Sequence, residues 1–166
     1  MTRSNAREIA VHLVYEMELR GLSADELFEM VLTQECFQER KEETELYAEF
    51  PNEKQRSYIE RLARGVYEHR VELDHYISRL AIGWKLARLP RVAVAVLRTA
   101  MYEIMYMPDI PNAAAVNEAV EIAKNYEDAE VVSFINGILG TFIRQELPEQ
   151  QVETVEPAVP EEQKES

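Results

Sequence analysis

The most apolar stretch of the chain runs from Leu89 to Met105, and its pattern predicts a buried helix. Its valines alternate as they would in a buried strand, but the stretch is longer than a typical strand. Pro90 lies where the first turn of a helix tolerates proline, and Pro108 ends the apolar run. We therefore expect a central helix of about four to five turns that is hydrophobic nearly all round. The apolar residues that recur at helical spacing within it are Leu97, Ala100, Met101 and Ile104.

Apolar positions with helical spacing recur along the rest of the chain and predict an all-α protein. A first amphipathic helix is expected over residues 4–19, and Gly21 ends it. The capping box Ser23–Glu26 starts a second helix. One helical phase continues from Ile59 to Leu80 and predicts a single long third helix. Residues 35–53 are acid-rich and lose this periodicity, so a solvated loop is expected there.

Several polar residues and glycines predict local features of the helices. Asn52 with Gln55 can cap the third helix, and Asn112 is a plausible N-cap for a fifth helix. Gly137 and Gly140 interrupt the apolar pattern of the last helix. Because a glycine has no side chain beyond its hydrogen, we expect a neighbouring helix to approach closely at these two positions.

Length and composition indicate one helical domain followed by an acidic tail. The chain has 166 residues, enough to bury a core, and its single cysteine, Cys36, fits a reducing cytoplasm. The net charge is −13. Residues 147–166 are rich in Pro, Glu and Gln and are expected to be disordered, which leaves residues 1–146 as the folded domain. No apolar run reaches about 18 residues, so no membrane span is expected.

The chain carries no pattern typical of catalysis or of metal binding. His12, His69 and His75 lack the spacing of a metal site, and no catalytic triad, glycine-rich phosphate loop or carboxylate pair stands out. We therefore expect no enzyme activity, no cofactor and no metal. An acidic chain is also a poor general binder of nucleic acid, so any role in RNA binding requires a local basic patch or a basic partner.

Motifs spread over nearly the whole folded region are similar to those of one protein family. They begin with Ala6-Arg7-Glu8-x-Ala10 and continue through Gly65-Val66, Leu73-Asp74 and Trp84. The longest matches are Leu97-Arg98-x-Ala100-x-Tyr102-Glu103, Ile110-Pro111, Val116-Asn117-Glu118-Ala119-Val120-Glu121-x-Ala123-Lys124 and Phe134-Ile135-Asn136-Gly137-Ile138-Leu139. Each motif is weak alone, but in this order, over residues 3–145, they closely resemble the NusB family.

The resemblance implies both a fold and a function. The implied NusB-like fold consists of two small helical bundles packed roughly perpendicular to each other. The implied function is transcription antitermination, in which the protein and the ribosomal protein NusE bind the single-stranded boxA element of nascent ribosomal RNA. The complex would then act on RNA polymerase together with other Nus factors, in the cytoplasm.

Six residues resemble RNA-contacting positions of the family. Arg3 and Arg7 match its arginine-rich N-terminal motif. Spaced four apart near a helix N-terminus, they could hold adjacent phosphates, or they could be ordinary surface arginines. Phe134 could stack on an unpaired base, or its ring could belong to the apolar stripe of the last helix. The four residues of this set around the start of that helix are Tyr126, Glu130, Ser133 and Phe134.

The resemblance places the NusE-binding surface at the turn before the central helix and at the first part of that helix. Trp84 is expected to anchor this turn. A more apolar face here could instead favour self-association. The candidate partner-binding residues are Arg88, Arg91, Val92 and Ala95.

Four polar residues lie on helices that are otherwise expected to be buried. A buried arginine must be paired, because a lone buried charge is very costly. We therefore expect an internal polar network that holds the two halves of the C-terminal bundle together. Its members are Arg98, Glu103, Asn117 and Glu118.

Two other functions stay open from the sequence. The chain could be the type of RNA-binding domain found in RNA cytosine methyltransferases, which would require a catalytic domain downstream. It could also be a structural homodimer in which the RNA-binding residues are masked. The acidic tail, residues 147–166, could be a solubilising segment, or it could cover Arg3 and Arg7 and compete with RNA.

Overall fold

The computed structural model describes residues 1–147, which form eight α-helices and two short 3-10 helices and contain no β-strand. The predicted all-α class is confirmed. The predicted disordered tail lies outside the described residues, apart from Leu147. The helices are α1 (Arg3–Arg20), α2 (Ala24–Val31), α3 (Gln34–Arg40), α4 (Glu53–Glu68), α5 (Arg70–Leu80), α6 (Arg91–Tyr106), α7 (Asn112–Lys124) and α8 (Ala129–Glu146), and the 3-10 helices are Glu45–Tyr47 and Leu86–Arg88.

The helix ends that carry a clear sequence signal lie where they were predicted. Gly21 ends α1 in the left-handed region, with a φ of 66° that favours glycine. Ser23 Oγ accepts a hydrogen bond from the Glu26 N–H, and the Ser23 N–H donates to Glu26 Oε1. Asn52 and Gln55 form the same reciprocal pair at the start of α4. Both capping boxes are therefore confirmed.

The single long third helix was a wrong prediction, because the helix is interrupted at His69. Helix α4 ends at Glu68 and α5 begins at Arg70, with His69 at φ −105° and ψ 13°. The His69 N–H still donates to Gly65 O at 3.0 Å, and the Leu73 N–H donates to His69 O at 2.9 Å. These bonds keep the same apolar face buried on both sides of the break, and so the periodicity did not reveal it.

Two other boundaries differ from the prediction. Residues 35–53 contain α3 and the first 3-10 helix, whose N-caps are Thr33 and Thr44, instead of only a solvated loop. They are held because Phe37, Leu46 and Tyr47 are buried against the rest of the core. At α7, the residue before the helix is Pro111, so Asn112 is the first helical residue and not the N-cap.

Helix α6 is the central buried helix, as the apolar pattern predicted. Twelve of its sixteen residues are buried. It packs against α1, α4, α5, α7 and α8. It thus joins an N-terminal group, α1 to α4, to a C-terminal group, α5 to α8. Among residues 1–147, no helix is both long and apolar enough to span a membrane.

The close helix approach occurs at a different glycine from the two that were predicted. A Cβ built at Gly137 would meet nothing within 4 Å, and one at Gly140 would meet only the flexible end of Arg144, at 3.3 Å. At Gly65, in contrast, a Cβ would lie 2.1 Å from Cζ of Tyr102. Because only glycine leaves room for that ring, Gly65 is the position that lets α4 pack directly against α6.

Candidate nucleic-acid interface

The exposed cation at the N-terminal end of α1 is Arg3, and it lies against an aromatic ring. Its guanidinium carbon is 4.2 Å from the centroid of the Tyr58 ring. The Tyr58 hydroxyl in turn donates to Glu103 Oε2 at 2.6 Å, which fixes the position of the ring. Stacking on a ring uses the flat face of a guanidinium and leaves its N–H edges for other acceptors. Arg3 is therefore held with its donors available to a phosphate.

Arg7 lies one turn further on, but the structure does not leave it available as a second phosphate ligand. Arg7 is 5% exposed, and its Nε and Nη2 donate to the two carboxylate oxygens of Glu103 at 2.8 and 3.1 Å. Its Nη1 lies 3.3 Å from Glu118 Oε1. The expectation of two adjacent arginines facing RNA is corrected here, because the buried Glu103 carboxylate occupies the Arg7 fork.

Arg7, Glu103 and Tyr58 form a cluster whose charged and hydrogen-bonded groups stabilise each other. Burial alone would lower the pKa of Arg7, but the hydrogen bonds and the charge of Glu103 raise it above its ordinary value. Burial and the same carboxylate raise the pKa of the Tyr58 hydroxyl, so the phenol stays protonated and can donate. Glu103 itself is 0% exposed. The Arg7–Glu103 ion pair of this cluster is thus buried and structural, and the exposed Arg3 lies over the Tyr58 ring.

A second ion pair corrects the predicted location of the polar network. Arg98 Nε and Nη2 donate to the Asp74 carboxylate at 2.6 and 2.7 Å, and Nη1 donates to Glu18 Oε2 at 2.8 Å. Glu18 lies on α1 and Asp74 on α5. Together with Arg7–Glu103, this network ties α6 to the N-terminal helix, instead of only joining the halves of the C-terminal group. Asn117 is exposed and lies outside it.

Tyr126, between α7 and α8, is bonded to α1 through a directed chain of hydrogen bonds. Arg40 Nη1 donates to the Tyr47 hydroxyl at 3.1 Å, and the Tyr47 hydroxyl lies 3.0 Å from His12 Nδ1. His12 Nε2 contacts the Tyr126 hydroxyl, which donates to Glu8 Oε2. Each hydroxyl donates only one hydrogen bond, and the Tyr126 hydroxyl already donates to Glu8. It must therefore accept from His12, which assigns the His12 proton to Nε2.

These hydrogen bonds determine which part of the Tyr126 side chain is available to a ligand. Burial and the bond to Glu8 raise the pKa of its hydroxyl, which is therefore protonated and already engaged. The side chain is still partly exposed. Tyr126 can contact RNA with its ring, whereas its hydroxyl holds the start of the α7–α8 turn against α1.

The remaining three predicted RNA residues lie in the first two turns of α8 and do not share one environment. Glu130 and Ser133 are exposed, and Ser133 lines an open groove between α7 and α8 that also includes Lys124. Phe134 is half-buried, with its ring centroid 5.2 Å from that of Trp84. The sequence predicted that Trp84 anchors the turn before the central helix. In the structure Trp84 is 41% exposed, and it pairs with a predicted RNA residue.

The predicted partner-binding residues are split by burial. Arg88 and Arg91 are exposed, and Val92 is half-buried. Ala95 is 2% exposed, and its carbonyl accepts from Thr99 Oγ1 at 2.7 Å, so it is corrected from a contact residue to a core residue. Since the loop before α6 also carries Trp84, the predicted partner surface and the Phe134 end of the predicted RNA surface meet there.

The described residues offer no metal centre. No group of three or more His, Cys, Asp or Glu side chains among residues 1–147 is arranged to hold an ion. The arrangement consists of an oriented arginine, exposed aromatic rings and structural ion pairs. Such an arrangement can bind a polyanion with unpaired bases.

Comparisons with known proteins agree with this fold and with the motifs of the sequence. The NusB family model matches residues 4–144. The transcription antitermination protein NusB of Acetivibrio thermocellus is 40% identical over 147 residues, which cover 89% of this chain and 92% of the relative. The solved structure of T. maritima NusB superposes with a TM-score of 0.76 at 28% identity, covering 92% of this chain and 98% of that one. The same fold is found in the crystal structure of the antitermination factors NusB and NusE in complex with dsRNA, with a TM-score of 0.69 at 24% identity and coverage of 86% and 96%. The predicted fold is thus confirmed, and the chain belongs to the NusB family.

Proposed function

We propose that the chain is a transcription antitermination factor that binds a boxA-type single-stranded RNA together with the ribosomal protein NusE. The observation that carries this function is the NusB match over residues 4–144. The relative that is 40% identical is itself a transcription antitermination protein, and a chain of the same fold was crystallised with NusE and dsRNA. The complex would act in the cytoplasm on elongating RNA polymerase, with other Nus factors, and not as an enzyme.

The charge distribution supports RNA binding that is shared with a basic partner. The net charge is −13, whereas affinity for RNA comes largely from cations that neutralise phosphates. Of the two arginines predicted at the start of α1, Arg3 is exposed and Arg7 is bonded to Glu103. We therefore expect weak RNA binding by the chain alone and tight binding when NusE adds positive charge.

Binding of a labelled boxA RNA, with and without NusE, across a salt series tests the proposal. The logarithm of the affinity should fall linearly with the logarithm of salt concentration. Arg3→Ala should weaken binding and reduce the salt slope by about 0.7, the value for one phosphate contact on a single strand. Arg70→Ala is a matched control, because Arg70 is also an exposed arginine whose guanidinium carbon lies over a tyrosine ring, 4.1 Å from the Tyr67 centroid, at the start of α5.

Two results would contradict the proposal. One is the absence of specific RNA binding with or without NusE. The other is equal loss of affinity in the Arg3 and Arg70 variants, which would mean a general charge effect. If the protein binds no RNA and its mass in solution rises from that of a monomer to that of a dimer as its concentration increases, the structural homodimer is supported instead.

A further inference from the structure

Residues 75–102 form the longest stretch of this chain that contains no aspartate or glutamate, in a protein whose net charge is −13. The stretch carries five lysines and arginines, two of which bond to carboxylates of neighbouring helices. The other three are exposed and form no ion pair with any residue of the described range 1–147: Lys85, Arg88 and Arg91. The loop before α6 and the first turn of that helix therefore present positive charge with which no carboxylate of the described residues pairs.

The same loop also exposes apolar surface. Ile82 is 89% exposed, and Trp84 is 41% exposed. Gly83, between them, has a φ of 85°, in the region that favours glycine, and the Trp84 N–H donates to Ala81 O at 3.0 Å. A groove of about 430 Å³ opens beside the start of α6, where the Arg98 ion pairs and five further residues line it: Leu86, Ala87, Leu89, Arg91 and Val94. A segment that fits this surface combines acidic groups with small apolar side chains.

The sequence that follows the described residues has this composition. Residues 148–166 contain six glutamates and one lysine. Glutamates and valines alternate in the first part of this segment, in the order Glu149, Val152, Glu153, Val155, Glu156 and Val159. The segment thus complements the loop both in the sign of its charge and in its apolar side chains.

Two contacts of α8 show that this segment begins within reach of the loop. Arg79 Nη2 donates to Glu146 Oε1 at 2.8 Å, so α8 ends beside the end of α5. Further back on α8, the Phe134 ring centroid lies 5.2 Å from that of Trp84. At about 1.5 Å per residue, roughly 18 Å of helix separates these two contacts. An extended chain covers that distance in about six residues, so a segment that turns back at Leu147 reaches Trp84 near residue 153.

We propose that residues 149–159 dock on the loop before α6 of the same molecule, with their glutamates pairing with the three cations and their valines covering the exposed apolar groups. Exposed ion pairs are individually weak, but the covalent link gives the segment an effective concentration on the order of millimolar. A second copy of the chain is a poorer occupant, because symmetric pairing of this face would bring like charges together. Arg3 is a poorer target for the segment, because its neighbour Arg7 is already bonded to Glu103.

This docking has a consequence for partner binding. Arg88, Arg91 and Val92 were predicted to contact NusE, and the docked segment covers that face in the free chain. A partner that uses these residues must therefore displace residues 149–159. The docking itself does not depend on the proposed function, whereas this consequence rests on it.

Cross-linking of the full chain tests the docking without any partner. Carbodiimide coupling joins a lysine amine only to a carboxylate that it contacts, so mass spectrometry should find Lys85 linked to Glu149, Glu153 or Glu156. About 1 M salt should abolish the link by screening the charges. Lys54 is the matched control, because it is also exposed and unpaired among the described residues and lies one turn before Tyr58, the ring under Arg3.

Two charge variants of the full chain provide a second test. The first replaces Glu149, Glu153 and Glu156 by glutamine, and its control replaces Glu161, Glu162 and Glu165, so that both lose the same charge. Because Trp84 is the single tryptophan, its quenching by neutral acrylamide reports coverage of the loop. Quenching should rise in the first variant, to the level of the wild-type chain in about 1 M salt, and change little in the control. The first variant should also bind NusE about 3- to 100-fold more tightly than the control does, the range for release of three exposed ion pairs.

The outcomes separate the docking from the proposed function. If Lys85 forms no link to residues 149–156 and Trp84 is quenched equally in both variants, the docking is wrong and the antitermination function stands. Links to Lys54 in place of Lys85 would show that the segment covers the Arg3 end of α1, and links between isotopically light and heavy chains would show a second copy as the occupant; either result overturns the inference. If the Lys85 link forms but no variant binds NusE, the docking stands and the proposed function fails.

Discussion

Replacing Arg7 tests whether this arginine belongs to the fold or to the RNA surface. In Arg7→Ala, the Glu103 carboxylate loses two hydrogen bonds, of 2.8 and 3.1 Å, and keeps only the 2.6 Å bond from Tyr58. Glu103 is 0% exposed, so its carboxylate would be left in a buried site with one hydrogen bond. Removing one partner of a buried ion pair typically costs about 3–5 kcal/mol of unfolding free energy.

Unfolding and RNA binding measured on the same variants provide the assay. A loss of about 3–5 kcal/mol corresponds to a fall in melting temperature of roughly 6–20 °C for a domain of this size. Arg3→Ala is the comparison, because loss of its exposed contact with Tyr58 should cost only about 0.5–1 kcal/mol. Arg3→Ala should weaken RNA binding, whereas the fraction of Arg7→Ala that remains folded should bind RNA much as the wild-type chain does.

A double-mutant cycle makes the reasoning refutable. If Arg7 and Glu103 stabilise each other, Arg7→Leu with Glu103→Gln should be less destabilised than the sum of the two single variants. A stable Arg7→Ala protein that has lost RNA affinity would show the opposite assignment. In that case Arg7 would leave Glu103 to reach a phosphate, and the buried pair would not describe the RNA-bound protein.

Four further substitutions, at Gly65, Gly137, His12 and Ser23, have defined expected outcomes. Gly65→Ala should lower stability by about 1–3 kcal/mol, because the new Cβ would lie 2.1 Å from the Tyr102 ring, whereas Gly137→Ala, where space is open, should raise it by about 0.5–1 kcal/mol; thermal unfolding of both decides. Burial lowers the pKa of His12, so as the pH falls the His12 imidazole is protonated in the unfolded chain before it is protonated in the folded one. Stability should therefore fall as the pH drops through about 6.5. His12→Gln should flatten that part of the curve, and an unchanged curve in denaturant titrations would exclude His12 as its source. Ser23→Ala should cost about 1 kcal/mol by removing the α2 cap, and no measurable loss would mean that the cap does not limit stability.

The sequence predicted the helices wherever burial of one face leaves a periodic record. The break at His69 left no such record, because it contains neither glycine nor proline and because the Leu73 N–H still bonds to His69 O. Apolar residues of α4 and α5 keep one phase across it. The 34–47 region was also misread, since its structure depends on a few buried side chains, such as Phe37 and Tyr47, and not on a repeating pattern.

The candidate interface could be predicted by residue type but not by environment. Arg3 and Arg7 look alike in the sequence, and only the contact with Glu103, 96 residues away along the chain, distinguishes the exposed arginine from the buried one. The environment of Ala95 could not be predicted either, because a position near the start of α6 can face either the core or a partner. Trp84 carries a signal that could have been used: a lone tryptophan directly after a glycine in a loop before a buried helix.

Helix α1 is fastened to α6 at two places, and this has a consequence for synthesis on the ribosome. Arg7 bonds to Glu103 and Glu18 bonds to Arg98, across 96 and 80 residues of chain. At about 5–20 residues per second, α1 is made roughly 5–20 seconds before α6. During that interval Arg7 and Glu18 have no partner on α6, although α4, against which α1 also packs, is made earlier. The first helix can therefore pack against α4 before its ionic bonds to α6 form, and these bonds are completed only late in synthesis.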